Sequence, residues 1–168
     1  LYFIYKILHA IRLAGDLKKQ IPECNFVPVY YMGSEDADIK ELGEVMVNGK
    51  KYEWNTDQKG AVGRMKIDEH FGKIIHEIES QLSNERFGKE IISLVKDSYT
   101  AGKTMEQSTF EFVHTLFADY GLVIVLPDNA VLKNEFFNIN SKALNEQFSH
   151  RIVAETIEAL PAEYKVQT

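Results

Sequence analysis

The chain has 168 residues, of which 45% are hydrophobic and 26% are charged, a composition typical of a globular domain with a substantial core. Its formal net charge of −6 argues against a dedicated surface for nucleic acid or anionic membrane, because such surfaces need an excess of lysine and arginine. No apolar run approaches the roughly 20 residues of a membrane span, and the single cysteine excludes an internal disulfide framework and suits a reducing cytoplasm.

The N-terminal segment, residues 1–21, is predicted to be an amphipathic helix that ends before Pro22. A helical pattern is already present at the first residue and a strand pattern stops at the last, so we expect a fragment truncated at both ends and folded as a single domain over residues 1–168. A polar stripe this narrow is typical of a helix that is mostly covered by a sheet. The stripe consists of Lys6, His9, Arg12, Asp16 and Lys19.

An apolar segment, residues 26–32, is predicted to be a buried strand because it is rich in β-branched and aromatic residues and ends at Gly33. Ligands of open α/β sheets bind outside the carboxyl ends of the strands, so the turn after this strand is the first candidate for chemistry. Carboxylates in such a turn suit a substrate ammonium group or a magnesium ion. The polar residues of this turn are Ser34, Glu35, Asp36 and Asp38.

The sequence pattern gives a capping position to Asp38 but not to Glu35 or Asp36. Asp38 precedes a short helix from about residue 39, with Glu41 three positions later, and its position favours an N-cap. Glu35 and Asp36 have no comparable capping position, and a site and a solvated turn are equally good interpretations of them.

The middle of the chain is predicted to contain a β-hairpin followed by a pair of helices. Asn48-Gly49 supplies the positive φ angles of a type I′ turn within residues 45–54, and residues 55–66 are expected to form a loop. Asp68 can cap the first helix of the pair. We interpret residues 69–98 as a helical insertion between two α/β halves. The second helix of the pair is expected to bury a face formed by Phe87, Ile91, Val95 and Tyr99.

The second half opens with a capping box at residues 104–107 and a helix that stops at Gly121. Its expected buried face consists of Phe110, Val113, Phe117 and Tyr120. Residues 122–126 form a continuous apolar run, as in a parallel strand that is buried on both faces. Either Asp128 or Asn129 is expected to cap the helical pattern of residues 131–160, with a break near Asn140.

Two strands, residues 26–32 and 122–126, are predicted to be parallel neighbours or near neighbours, which would put Glu35 and Asp128 at the same sheet edge. Lys6, in the polar stripe of the first helix, could reach a phosphate or a carboxylate. No dinucleotide fingerprint, P-loop or nucleophile elbow is present. A zinc site is not expected, because no two histidines have helical i,i+4 spacing; they are His9, His70, His76, His114 and His150.

Three segments together resemble the bacillithiol synthase family, the cysteine-adding ligases of bacterial low-molecular-weight thiol synthesis. They are residues 1–6, 27–38 and 120–125, in the right order and spacing. The resemblance runs through the whole chain but covers only the middle of a family member. Members begin earlier, with a strand and a glutamine-rich turn, and continue into a long coiled coil that mediates dimerisation.

This resemblance implies a Rossmann-like core related to class I synthetases, in a cytoplasmic homodimer that joins cysteine to glucosaminyl malate. Catalytic roles are assigned to Glu35 and Asp36, and substrate contacts to Lys6, Tyr31, Ser34, Asp38 and Asp128. The histidine of the family's strand-end pattern is replaced here by Ala37, so a role for that imidazole does not carry over.

The sequence does not identify a cofactor. ATP is compatible with the resemblance, but the HxGH and KMSKS signatures of adenylating synthetases are absent, so the sequence does not support an adenylate. The fold class is therefore α/β, a Rossmann-like parallel sheet with a β-hairpin and an inserted helical pair, and the fragment alone is expected to be inactive. Two alternatives remain: a non-catalytic α/β module that binds a small ligand or a partner, and a nucleotidyltransferase-like enzyme with another substrate.

Overall fold

A computed structural model describes residues 2–161, 163 and 164 of the chain, which form two compact units, Leu1–Pro127 and Asp128–Thr168. The first unit has five α-helices and four strands. In chain order these are α1 (Tyr2–Gln20), β1 (Val29–Tyr31), α2 (Ile39–Leu42), β2 (Glu44–Val47), β3 (Lys50–Glu53), α3 (Glu69–Leu82), α4 (Gly88–Ser98), α5 (Met105–Phe117) and β4 (Val123–Val125). Single 3-10 turns at Val62–Arg64 and Ala118–Tyr120 precede α3 and β4.

Strands β1 and β4 pair in parallel, with Tyr30 opposite Ile124, which confirms the predicted neighbours. Both strands are shorter than the apolar runs that contain them. On one face, Tyr30 and Ile124 pack against a core cluster contributed by α1, α5 and the segment before β4. This cluster consists of Ile7, Val113, Phe117 and Leu122.

The prediction that both strands are buried on both faces is wrong. Val29 is 52% exposed and Tyr31 63% exposed, and Val123 on β4 is also exposed. The pleat sends successive side chains to opposite faces, so α1 and α5 cover only the face that carries Tyr30.

The expectation of a mostly covered first helix is also wrong. Within the described residues, Ile7 is the buried side chain of α1, whereas four large apolar side chains of that helix are exposed: Tyr2, Tyr5, Leu8 and Leu13. A narrow polar stripe therefore does not reveal how much of the remaining surface is covered.

The hairpin is confirmed. Strands β2 and β3 are antiparallel, and Asn48 and Gly49 have φ angles of 48° and 80°, as a type I′ turn requires. The segment of residues 55–66 contains the 3-10 turn Val62–Arg64. Val62 in this turn and Met65 directly after it are buried against Trp54, so this segment is more than a solvated loop.

Helices α3 and α4 pack on the hairpin through Tyr52, Ile78 and Ile92. As predicted, Asp68 caps α3: its carboxylate accepts a hydrogen bond from the Phe71 N–H at 2.8 Å. The expected face of α4 is wrong by about one residue, because Ile92 is buried while Phe87 and Ile91 are exposed. The interpretation of residues 69–98 as an insertion stays a prediction.

The capping box of α5 is confirmed by reciprocal hydrogen bonds between Thr104 and Gln107. Val113 and Phe117 are buried as expected, but Tyr120 lies in the 3-10 turn after the helix and is largely exposed. Gly121 follows with a φ of 71°, the left-handed conformation in which glycine ends such segments.

The second unit contains α6 (Ala130–Glu135), α7 (Phe137–Glu146) and α8 (Phe148–Ala159). The side chain of Asn129 caps α6, as one of the two predicted candidates. The helical pattern is interrupted at Phe136 and Gln147 rather than near Asn140. Apart from Tyr164, the strand pattern expected at the C-terminus lies outside the described residues. Across the described part of the chain, no helix is both long and apolar enough to cross a membrane.

Candidate functional site

A cavity of about 560 Å³ lies in the first unit beside the carboxyl end of β1. Its walls come from the turn after β1, the β2–β3 hairpin, the 3-10 turn Val62–Arg64, α3 and the first turns of α5. The position agrees with the rule that ligand sites of open α/β sheets lie outside the carboxyl ends of the strands.

The turn after β1 is held by backbone hydrogen bonds from two directions. The Ser34 N–H donates to the Met32 carbonyl at 2.7 Å, and the Gly63 N–H donates to the Ser34 carbonyl at 3.0 Å. A Cβ atom at Gly63 would lie 2.4 Å from that carbonyl oxygen, so the close approach of the two segments requires glycine. Ser34 is consequently buried, with 7% of its surface exposed.

The side chain of Ser34 connects this turn to α5. Its hydroxyl donates a short hydrogen bond to Oε2 of Glu106, in the first turn of α5. The positive end of a helix dipole stabilises a carboxylate at this position. Ser34 and Glu106 both line the cavity, which places a carboxylate at a fixed point of its wall.

Asp36 and Asp38 organise the turn by capping. Oδ1 of Asp36 accepts the Asp38 N–H at 3.0 Å, and Oδ1 of Asp38 accepts the N–H groups of Lys40 and Glu41. The capping interpretation of Asp38 is therefore confirmed. The expectation that Asp36 lacks such a structural role is wrong, because its carboxylate stabilises the turn while also lining the cavity.

An aromatic wall faces this turn. The Trp54 indole N–H donates to Asp68 at 3.0 Å, the Phe71 ring meets Trp54 edge-on at 5.3 Å, and Phe71 stacks on Tyr99 at 5.6 Å. The phenol of Tyr99 forms a 3.0 Å hydrogen bond with the Thr109 hydroxyl. These contacts fix the rings in position and give the cavity a largely apolar surface.

Two phenols of the cavity have raised pKa values. Burial raises the pKa of Tyr30 above its usual 10. Burial also raises the pKa of Tyr99, with a further contribution from the neighbouring Tyr30 and an opposing one from the hydrogen bond to Thr109. Both phenols are therefore neutral at physiological pH.

The structure separates the predicted site residues. Ser34 and Asp36 line the cavity, whereas Glu35 is exposed and, like Asp38, lies outside the lining. Tyr31 points to the face of the sheet opposite Tyr30, and Tyr30 is the one that lines the cavity.

Two further predicted residues lie elsewhere. Lys6 is on the exposed part of α1, with its ammonium 4.9 Å from the ring centre of Tyr2. Asp128 belongs to the second unit, where its carboxylate accepts a hydrogen bond from Lys133 at 2.6 Å.

Sequence reasoning missed Glu106, Trp54 and Tyr99 as components of the site. Glu106 is inside the capping box of residues 104–107, and that structural explanation left no reason to look for another role. Its partner Ser34 is 72 residues away in the chain, so no local pattern connects the two.

The described lining carries three carboxylates, Asp36, Glu44 and Glu106, and no lysine, arginine or histidine. Glu44 is paired with the ammonium of Lys51 at 2.5 Å. Such a surface favours an ammonium group and does not fit the phosphates of a nucleotide. Among the residues that the structure describes, no group of histidine, cysteine, aspartate and glutamate side chains is placed to hold a metal ion.

Comparison with known proteins identifies the relatives of the chain. All of residues 1–168 match the family model described as "Bacillithiol biosynthesis BshC, N-terminal Rossmann-like domain". A Flavobacterium johnsoniae protein named "Putative cysteine ligase BshC" is 38% identical over 99% of the chain. Proteins of the same name from Flavobacterium psychrophilum and Cytophaga hutchinsonii are 37% and 36% identical over 99% and 93% of the chain. The chain spans 31%, 31% and 28% of the length of these three relatives.

Proposed function

The chain belongs to the bacillithiol biosynthesis family BshC, in which it corresponds to the N-terminal Rossmann-like domain, and we propose that it is part of a ligase that adds cysteine to glucosaminyl malate. The relatives carry the name of a cysteine ligase, and the fold is the α/β, Rossmann-like class predicted from the sequence. The cavity at the carboxyl end of β1, with Asp36 and Ser34 in its wall, is the observation that supports this proposal most strongly.

The proposed reaction forms an amide bond between the carboxyl carbon of cysteine and the amine nitrogen of glucosaminyl malate. One carbon–oxygen bond of the cysteine carboxyl group breaks, and its oxygen leaves with the group that activates the carboxyl, for which we propose a nucleoside triphosphate as the class of co-reactant. This amine must lose its protons during the reaction, and a carboxylate beside it can accept one as a general base. In our proposal Asp36 has this role, since its carboxylate lines the cavity and its orientation is fixed by the Asp38 N–H. Glu35, the next residue along the turn, is the second proposed catalytic carboxylate.

The remaining predicted substrate contacts stay part of the proposal. The substrate contacts of Lys6, Tyr31 and Asp38 in the first unit, and of Asp128 in the second unit, are proposed from the sequence alone. Lys6 could pair with a carboxylate of the malate group. We further propose a cytoplasmic homodimer for the protein that acts in the cell, in keeping with the resemblance to the bacillithiol synthases.

A complementation experiment tests the catalytic assignment. In a strain from which the gene encoding this chain is deleted, a plasmid that carries the wild-type gene should restore the bacillithiol level. Asp36→Asn should restore about 100-fold less or lower, because general-base catalysis contributes roughly 10²–10⁴ in rate and asparagine keeps the acceptor oxygen for the Asp38 N–H. Glu35→Gln should also lower the bacillithiol level strongly.

Asp97→Asn is the matched control, because Asp97 is an exposed residue of α4 outside the cavity lining. This variant should complement as well as wild type. Full complementation by Asp36→Asn and Glu35→Gln would contradict the catalytic assignment. Unchanged bacillithiol in the deletion strain itself would favour a non-catalytic binding module.

A further inference from the structure

We propose that the cavity binds the ammonium group of the cysteine substrate, with Glu106 as the carboxylate that contacts it and Ser34 as the residue that positions Glu106. The inference rests on the proposed function, because it takes cysteine to be a substrate. It assigns the cavity to cysteine, the carboxyl donor of the reaction, and leaves only the reacting amine of the acceptor to approach Asp36 in the cavity wall.

The charge distribution of the lining is the first argument. Among its carboxylates, Glu44 is paired with Lys51, and Asp36 accepts a hydrogen bond from the Asp38 N–H. Within the described residues Glu106 forms no ion pair, and its carboxylate accepts a hydrogen bond from the neutral hydroxyl of Ser34. A ligand cation would therefore supply the missing counter-charge, in partly apolar surroundings where such a contact is stronger than in water.

The fixed geometry of Ser34 is the second argument. Ser34 is buried, and its backbone is held by Met32 on one side and Gly63 on the other. Its hydroxyl therefore donates to Oε2 of Glu106 from a position that these backbone hydrogen bonds define. A carboxylate has about four acceptor sites on its two oxygens, so this hydrogen bond leaves capacity for a substrate ammonium.

The aromatic wall supplies the rest of a cysteine site. Faces of Trp54 and Tyr99 attract cations through their ring quadrupoles, and thiols make favourable contacts with aromatic rings. The dicarboxylate malate group of the acceptor would be repelled by the acidic lining, since no cation of the described lining faces it. Cysteine, with one ammonium and a small apolar side chain, is the better match.

This placement also has a chemical consequence. Cysteine donates its carboxyl group in the proposed reaction, so its own amine must not act as a nucleophile. A carboxylate beside that amine favours the protonated form, which has no free electron pair to attack a carbonyl. Glu106 would in this way suppress the condensation of one cysteine with another while the sugar amine reacts.

Calorimetric binding of two small probes tests the subsite directly. Cysteamine has the ammonium and thiol of cysteine without the carboxylate, and 3-mercaptopropionate has the thiol and carboxylate without the ammonium. Wild type should bind cysteamine and should bind 3-mercaptopropionate at least about 10-fold more weakly. Equal binding of the two probes would overturn the proposal.

A variant of Glu106 tests whether its carboxylate contacts the ammonium group of the ligand. Glu106→Gln keeps the shape of the side chain and should weaken cysteamine binding about 10-fold or more, as expected for loss of a charge-assisted hydrogen bond. Glu111→Gln is the matched control: Glu111 is on the same helix, pairs with Lys103 at 2.5 Å and lies outside the cavity, so its variant should bind as wild type does. Fluorescence of Trp54 verifies that each variant is folded.

Ser34→Ala tests positioning. It should weaken cysteamine binding less than Glu106→Gln. In ligation by the full-length protein it should raise the KM for cysteine while changing kcat little, because Ser34 acts through Glu106 rather than on the reacting atoms. An unchanged KM for cysteine with a lowered kcat would overturn this role.

The subsite and the ligase function can fail separately. If Glu106→Gln binds cysteamine as tightly as wild type while deletion of the gene abolishes bacillithiol, the Glu106 assignment is wrong and the ligase function stands. If Glu106→Gln loses cysteamine binding while the deletion strain keeps its bacillithiol, the ammonium subsite stands and the ligase function is wrong.

Discussion

The close approach of Gly63 to Ser34 supports one side of the cavity, and Gly63→Ala tests how much this contact contributes to the free energy of unfolding. A Cβ atom there would lie 2.4 Å from the Ser34 carbonyl oxygen and 2.7 Å from the Ser34 Cβ, both below the 3.0 Å that real Cβ contacts respect. Because the nearest atom belongs to the backbone, a rotamer change cannot relieve the overlap. The two segments must separate.

The expected cost has two parts. Inserting a methyl group into a packed site costs about 1–3 kcal/mol. Loss of the 3.0 Å hydrogen bond from the Gly63 N–H to Ser34 adds about 0.5–1.5 kcal/mol. We therefore expect the free energy of unfolding to fall by about 1.5–4.5 kcal/mol, which for a chain of this length lowers the Tm by roughly 3–18 °C.

Urea denaturation followed by tryptophan fluorescence measures the stability of the first structural unit, because Trp54 is the single tryptophan of the chain and is buried beside the cavity. Gly72→Ala is the matched control: a Cβ at Gly72 in α3 meets nothing within 4 Å. Glycine in a helix interior costs about 0.5–1 kcal/mol relative to alanine, so this variant should be slightly more stable than wild type. A Gly63→Ala protein as stable as wild type would show that the contact of Gly63 with Ser34 does not require glycine.

Two further predictions concern the aromatic wall. Asp68→Ala removes both the cap of α3 and the acceptor for the Trp54 indole N–H, so it should lower the free energy of unfolding by about 2–3 kcal/mol in urea titrations followed by circular dichroism. Trp54→His is the comparison variant, because it should leave the cap of α3 intact. Equal stability of Asp68→Ala and wild type would contradict both contacts. Because the pKa values of Tyr30 and Tyr99 are raised, the unfolded chain loses these protons first, so stability should be lost as the pH rises above 10. Tyr99→Phe should reduce that loss, and a pH-independent stability in this range would count against the burial of both phenols.

Features that depend on a few neighbouring residues could be predicted from the sequence. The Asn48-Gly49 turn, the Asp68 cap and the capping box at Thr104 were all predicted and are all present, because each is determined by the chemistry of a few consecutive residues. The parallel pairing of β1 with β4 was also predicted, from helices that connect two apolar runs.

Features that depend on distant packing were not predictable in the same way. An apolar strand looks the same in sequence whether one or two faces are covered, so the exposure of Val29 and Tyr31 had no local signal. In α4 both Ile91 and Ile92 are apolar, and only the contact with the hairpin selects Ile92. The Ser34–Glu106 hydrogen bond likewise joins two segments that each had a sufficient local explanation.

Tracing of isotopically labelled cysteine tests whether the protein ligates cysteine to glucosaminyl malate. Extracts of the deletion strain, supplied with glucosaminyl malate and labelled cysteine, are compared by mass spectrometry with the same extracts after expression of the gene. We expect the labelled amide product to form only when the gene is expressed, and Asp36→Asn to form at least about 100-fold less of it. Equal labelling of this product with and without the gene would contradict the assignment of the chain to a cysteine ligase.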